Sequence, residues 1–322
     1  MSKIPNAVAI AIKGKLSATR KISHLIHEKA KVLYSENGLF AVEKPANILS
    51  HPNKPEDIKK SIIQGLYNSS KETFEITTGC GLQGEVVYLI NRLDSATSGI
   101  LLMTTDAIIA KNVKNLFAQR EVNKVYKAIV FCDRDIEANE KSVFWEDAMQ
   151  VKRINGKNRA KKSHSFQPTG SYAKTDVTIS EPKLYGLGRT KSSGKDMMLL
   201  ELRPKTGYTH QLRYQCALHD FPIVGDKTYG NFKLNRSSEV MAKAHVATLC
   251  EKTKSELNNG TKLFVGDSSS KSEATDFKRL FLHSYSIEFK YECNGQIHNF
   301  RAISKLPADF IRIIDNSYSN FS

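Results

Sequence analysis

No run of residues in this chain is long and apolar enough for a membrane-spanning helix. The apolar stretch at residues 7–12 is too short for the core of a signal peptide. Cysteine is scarce: Cys80, Cys132, Cys216, Cys250 and Cys293 are odd in number, and no two are spaced Cys-x-x-Cys. That argues against a disulfide framework or a zinc ribbon and fits a reducing compartment. The nine histidines show no His-x-x-x-His spacing, so no metal is expected. Acidic residues are also short. There are 33 Asp and Glu against 48 Lys and Arg, a net charge of +15 over 322 residues. Residues 1–27 contain no acid at all, yet carry Lys3, Lys13, Lys15, Arg20 and Lys21. Such an excess points to a polyanionic partner, nucleic acid before membrane. A basic arm on a cytoplasmic protein is the preferred reading of residues 1–29, ahead of an organelle transit peptide.

What is present is ordinary in bulk. Apolar residues make up 40% and charged residues 25%, a globular composition with length enough for a real core. Asn37-Gly38 between two apolar runs predicts a hairpin. Apolar spacing predicts a helix over residues 57–67, and another from Thr105-Asp106 to about Gln119. Residues 86–90, 100–103 and 125–131 read as strands, and 151–164 as a basic hairpin around Asn155-Gly156. A loop over 184–195 precedes a strand at 198–202 and a helix over 210–218, capped by Thr206 or Thr209. Residues 235–276 read as a surface insertion with a possible short helix over 240–257. Closing strands at 281–289 and 297–302 and a helix from Leu306-Pro307 complete the chain. Few helices among many strands predict an α+β fold on a largely antiparallel mixed sheet.

Chemistry is concentrated in two segments. In Asn91-Arg92-Leu93-Asp94-Ser95-Ala96-Thr97-Ser98-Gly99, an Arg and an Asp stand against the apolar run Ile100-Leu101-Leu102-Met103. An ionisable group so close to a buried strand is paired, or it does chemistry. A charged Asp is a poor general acid but can serve as nucleophile or base. A plain structural Arg92–Asp94 ion pair is the competing reading. The second segment runs Thr206-Gly207-Tyr208-Thr209-His210-Gln211-Leu212-Arg213 and then Pro222-Ile223-Val224-Gly225-Asp226-Lys227-Thr228-Tyr229-Gly230. Here a turn opens a helix whose first residues carry His210 and Arg213, an end suited to a carboxylate or phosphate.

The two segments, in this order, resemble the motifs of the RluA-type RNA pseudouridine synthases. Asn123-Lys124-Val125-Tyr126-Lys127-Ala128 resembles that family's Lys-x-Tyr-x-Ala strand, and Phe40-Ala41-Val42-Glu43-Lys44-Pro45 its first segment. Two positions depart: Asn91 stands where His is usual, and Tyr208 where Arg is usual. The resemblance implies a pseudouridine synthase fold with a central cleft, over residues 30–312, followed by a short tail at 313–322. It implies an isomerase with Asp94 as catalytic residue, Arg213 pairing with it and Tyr126 against the target base. Arg92 would help displace the nucleotide, and an apolar side chain near Leu282 would line the base pocket. His210 and the hairpin residues Lys152, Arg153, Lys157 and Arg159 would contact RNA, ribosomal or transfer. Neither metal nor organic cofactor is implied, nor a membrane or an obligatory protein partner, and a monomer is expected. Two rivals remain: a non-catalytic RNA-binding protein on the same scaffold, and a hydrolase whose carboxylates, Asp94 and Asp226, face each other within about 10 Å.

Overall fold

The computed structural model describes residues 22–23, 25–76, 86–132, 141–154, 156–162, 172–184, 196–231, 235 and 279–318. The predicted loop at 185–195 and nearly all of the predicted insertion lie outside these residues, as do the basic positions Lys3–Lys21.

Thirteen strands form one mixed sheet. β1 (Lys31–Glu36) and β2 (Leu39–Lys44) make the expected hairpin, with Gly38 at φ +80 in its turn. β3 (Leu66–Asn68), β4 (Thr73–Glu75) and β5 (Val86–Leu89) lead to β6 (Ser98–Thr104), which pairs with β2. Helix α1 (Ala107–Gln119) follows, then β7 (Asn123–Cys132), β8 (Ser142–Ile154), β9 (Lys157–Lys162), β10 (Tyr172–Leu184) and β11 (Asp196–Pro204). Helix α2 (Gln211–Leu218), strands β12 (Leu282–Cys293) and β13 (Gln296–Ile303), and helix α3 (Ala308–Tyr318) end the described chain. The spatial order is β3-β4-β5-β6-β12-β7-β11-β10-β8-β9, with β2 also on β6 and β13 on β12. All strand pairs are antiparallel except β6 with β12.

β6 explains why the apolar run follows the Asp94 loop. Leu101 and Met103 pack on one face with Phe40, Val42, Val87 and Leu89. Ile100 and Leu102 pack on the other with Leu39, Ala41 and the α1 residues Ile109 and Val113. A strand buried on both faces reads as continuous apolar sequence. α1 begins where Asp106 accepts bonds from the N–H groups of Ile108 (2.7 Å) and Ile109 (3.0 Å), as its sequence predicts.

Some expectations need correction. The predicted helix over 57–67 is only a 3₁₀ turn, Pro55–Lys60. Its later apolar residues, Ile62 and Ile63, are fully buried instead through bridges and core contacts, Ile63 opposite Ile26. Neither Thr206 nor Thr209 caps α2; the N-cap is His210, in left-handed conformation, without a side-chain cap bond. Leu184, placed in the predicted loop, ends β10. Within the stretch read as a basic arm, Ile22, Leu25 and Ile26 are buried against Phe40 and Ile62, so the packed domain reaches back at least to residue 22.

Candidate active site

A cleft opens where β7, the loop after β5 and the entry to α2 converge. Asp94, Arg92, Tyr126, His210, Arg213 and Leu282 all line it, together with Lys124, Thr206 and Tyr208. Residues that lie far apart in sequence are thus brought together as expected.

Asp94 sits in a tight turn, where the Thr97 N–H donates to its carbonyl at 3.0 Å. Its neighbours are fastened on both sides. The buried Ser50 hydroxyl donates to the Leu93 carbonyl (2.8 Å) and accepts from the Leu93 N–H (3.0 Å). Lys44, wholly buried at the end of β2, donates to the carbonyls of Pro45 (2.9 Å), Ile48 (2.7 Å) and Ser95 (2.9 Å). Those three carbonyls take up all three ammonium protons. Burial pushes its pKa down to about 7, against the upward pull of Asp94. Before the loop, Asn91 stands in for a strand residue: its Oδ1 accepts from the Leu102 N–H at 2.7 Å and its Nδ2 donates to the Ile100 carbonyl at 3.5 Å.

The cationic partner of Asp94 is Arg213, whose Nη1 donates to Asp94 Oδ2 at 3.1 Å. The neighbouring Arg92 reaches instead toward Glu72, 3.9 Å away, and is largely exposed. Arg213 is itself held from behind. Its Nε and Nη2 donate to the two oxygens of buried Asp226, each at 2.8 Å, a bidentate fork. Asp226 also accepts from the N–H groups of Thr228 (2.7 Å) and Tyr229 (3.1 Å). Despite their burial, Arg213 is held protonated by the two carboxylates, and Asp226 is pushed below its usual range by Arg213 and the backbone donors. Both oxygens of Asp226 are thus occupied, and Asp226 is buried and not among the residues lining the cleft, which argues against a carboxylate-pair hydrolase. Among the described residues, Asp94 Oδ1 accepts no hydrogen bond.

Tyr126 stands on β7 opposite Ser284 of β12 and Leu202 of β11. Burial pushes its phenol up to about 12; the Ser284 hydroxyl pulls it down and the Asp94 charge adds to the rise. Lys124, also at the cleft, donates to the Thr206 carbonyl at 3.2 Å and is lowered to about 8 by burial. Tyr208 packs on Met149, Ala160 and Ala173 of the neighbouring strands. Lys152 and Arg153 are exposed on the hairpin, outside the cleft, and Arg159 is half-buried; the Lys157 side chain lies outside the described part of that hairpin. Sequence reasoning missed Lys44, Ser50 and Lys124. A lysine closing the buried strand Leu39-Phe40-Ala41-Val42 was the available signal for the first. Among the described residues no cluster of three His, Cys, Asp or Glu could hold a metal ion.

Residues 38–218 match the family model for RNA pseudouridylate synthase, and the chain belongs to that family. The activity of the family is an isomerisation. Among individual relatives, tRNA pseudouridine synthase C of Yersinia pestis is 29% identical over 206 residues, covering 64% of this chain and 72% of the relative. Ribosomal large subunit pseudouridine synthase D of Borreliella burgdorferi is 29% identical over 204 residues, 62% of this chain and 54% of that protein. The solved structure of human RNA pseudouridylate synthase domain containing 4 shares the fold, with a TM-score of 0.52 and 18% identity over 96% of this chain and 98% of its own.

Proposed function

We propose that this protein converts specific uridines of structured transfer or ribosomal RNA to pseudouridine, with Asp94 as the catalytic carboxylate. The reaction breaks the C1′–N1 bond, rotates the uracil and forms a C1′–C5 bond; C5 gives up its proton and N1 gains one. The observation that carries the assignment is the asymmetry of Asp94. Arg213 holds Oδ2, while Oδ1 has no hydrogen-bond partner among the described residues and belongs to a cleft lined by Tyr126 and Leu282. A carboxylate so oriented suits nucleophilic or base chemistry at a nucleoside drawn into the cleft. Arg213, fixed by Asp226, orients Asp94 and does not itself need to reach the substrate.

Tyr126 stacks on the uracil, an interaction of about 1–3 kcal/mol per base. With its phenol up at about 12, it keeps its proton near neutral pH and acts as a donor, not a base. Arg92, exposed at the mouth, contacts the backbone or fills the gap as the nucleotide leaves its helix, a displacement that costs a few kcal/mol. Lys152, Arg153, Lys157 and Arg159 on the β8–β9 hairpin, and the basic segment before residue 22, grip phosphates. A cytoplasmic monomer acting without cofactor fits this reading.

The test is release of tritium from RNA carrying uridine tritiated at C5. The wild-type protein should release it, Asp94→Asn should not, and Leu282→Ala should release it more slowly. Equal release by wild type and Asp94→Asn would remove Asp94 from the catalytic role.

A further inference from the structure

His210 is backbone-strained and does not cap its helix. It lies at φ 58, ψ 18 at the start of α2, in the left-handed region that non-glycine residues seldom enter. No side-chain cap bond accompanies this conformation, and the side chain is engaged elsewhere. Its side chain faces Asp94 on one side and Tyr229 on the other. Nε2 lies 3.7 Å from Asp94 Oδ2, and Nδ1 lies 2.9 Å from the Tyr229 hydroxyl. That hydroxyl in turn accepts from the backbone N–H of Ala160, on β9, at 2.7 Å.

The proton count fixes the direction of the chain. A phenol has one proton to give. With Ala160 donating to Tyr229, the phenol proton is directed at His210 Nδ1. A neutral imidazole that accepts at Nδ1 carries its proton on Nε2, the nitrogen facing Asp94. Burial pushes His210 below its ordinary value, with Asp94 and Asp226 pulling it up and Arg213 and Arg159 pushing it down. Among the described residues, these four charges and the Tyr229 hydroxyl act on the ring, and together they favour its neutral form.

We infer that His210 and Tyr229 are positioning residues for Asp94, and that the β8–β9 hairpin sets them through the Ala160 N–H. Arg213 and the Nε2–H of His210 then converge on Oδ2, which keeps Oδ1 turned to the cleft. At 3.7 Å the second contact is longer than a hydrogen bond, and closing it takes a shift of about 0.7 Å. The strand that holds Tyr229 through the Ala160 N–H belongs to the hairpin that carries Lys152, Arg153, Lys161 and Lys162. A phosphate backbone seated on that hairpin is therefore linked to the orientation of the carboxylate. His210 thereby acts through Asp94 and not as an RNA contact. This rests on the catalytic assignment of Asp94.

The tautomer is read directly by long-range proton–nitrogen correlation spectra of the RNA-free protein, with the His210 signal assigned by its loss in His210→Asn. The wild type should show a proton on Nε2 and none on Nδ1. Tyr229→Phe removes only the hydroxyl, so the neutral ring loses a donor and His210 should titrate at higher pH. In the tritium-release assay at saturating protein, that variant should be slower by roughly tenfold, the scale of a modest misplacement of a reacting group. Its RNA affinity should be unchanged, and the acid limb of its pH–rate profile should move upward. A proton on Nδ1, or a Tyr229→Phe protein with wild-type rate and pH profile and only a lower melting temperature, would overturn the inference. Tritium release by Asp94→Asn at the wild-type rate would instead overturn the catalytic assignment, while the spectra still decide the tautomer.

Discussion

At the scale of single residues, the site is built by removing choices from Asp94. Arg213 and Asp226 illustrate how. The bidentate fork is buried, so Arg213→Ala would strand Asp226 as an unpaired interior charge. Loss of one partner of such a pair costs about 3–5 kcal/mol. Urea unfolding should therefore register a large stability loss for Arg213→Ala, well above that of Arg92→Ala at the exposed rim. Asn91 is the residue that departs from the usual histidine, and its side-chain amide is used on the β6 backbone. Asn91→Ala leaves the Leu102 N–H without its acceptor, a cost of about 1–3 kcal/mol. The expected result is lower stability with the tritium-release rate of the folded fraction unchanged. A loss of rate without loss of stability would assign Asn91 to the chemistry instead.

At the scale of elements, the critical junction is the parallel pairing of β6 with β12, which brings the Asp94 loop to the Tyr126 strand. Only His283 with Ser98 and Ser284 with Gly99 are in register there. Gly99, at φ +111, is required: a Cβ would lie 2.2 Å from the Ser284 carbonyl oxygen. Buried polar groups reinforce the seam. Arg279 is paired with Asp309 of α3 at 3.1 Å and donates to the Ser98 hydroxyl, which donates to His283 Nδ1 at 2.8 Å. His283 Nε2 then donates to the Ser304 carbonyl at 3.2 Å. Burial lowers His283 to about 4 from an unfolded value near 6.5, so the unfolded chain binds the extra proton first. Its contribution is fully present above pH 6.5 and is lost as pH falls toward 4, up to about 3 kcal/mol. Unfolding free energies measured across that window should fall more steeply for wild type than for His283→Asn.

Elements were legible in the sequence where their determinants are local. The β1–β2 turn follows from Asn37-Gly38, and α1 from the Asp106 cap and its apolar spacing. The stretch at 57–67 misled because its periodic apolar residues are buried by distant partners, Ile63 by Ile26 and Ile62 by the strands around Phe40. The site shows the same division. Asp94, Arg213 and Tyr126 stood out by motif. Lys44 and Ser50 did not, because their bonds to Ser95 and Leu93 cross 51 and 43 residues of chain. For His210, expected at the RNA site, nothing local announces the bond to Tyr229 nineteen residues on.

At the scale of the whole molecule, the charge of +15 makes RNA affinity a matter of counterions. Every phosphate that is no longer neutralised should lower the slope of log affinity against log salt by about 0.7–0.9. Replacing Lys152 and Arg153 with Ala should thus weaken binding and flatten that slope. Filter binding at several salt concentrations checks this. The scaffold alone does not choose between catalysis and passive RNA binding. The most direct measurement is carbodiimide mapping of pseudouridine in total RNA from cells lacking the gene and from the same cells given wild type or Asp94→Asn. At least one site should disappear without the gene, return with wild type and stay absent with Asp94→Asn at equal protein level. Restoration of that site by Asp94→Asn would contradict the catalytic assignment of Asp94.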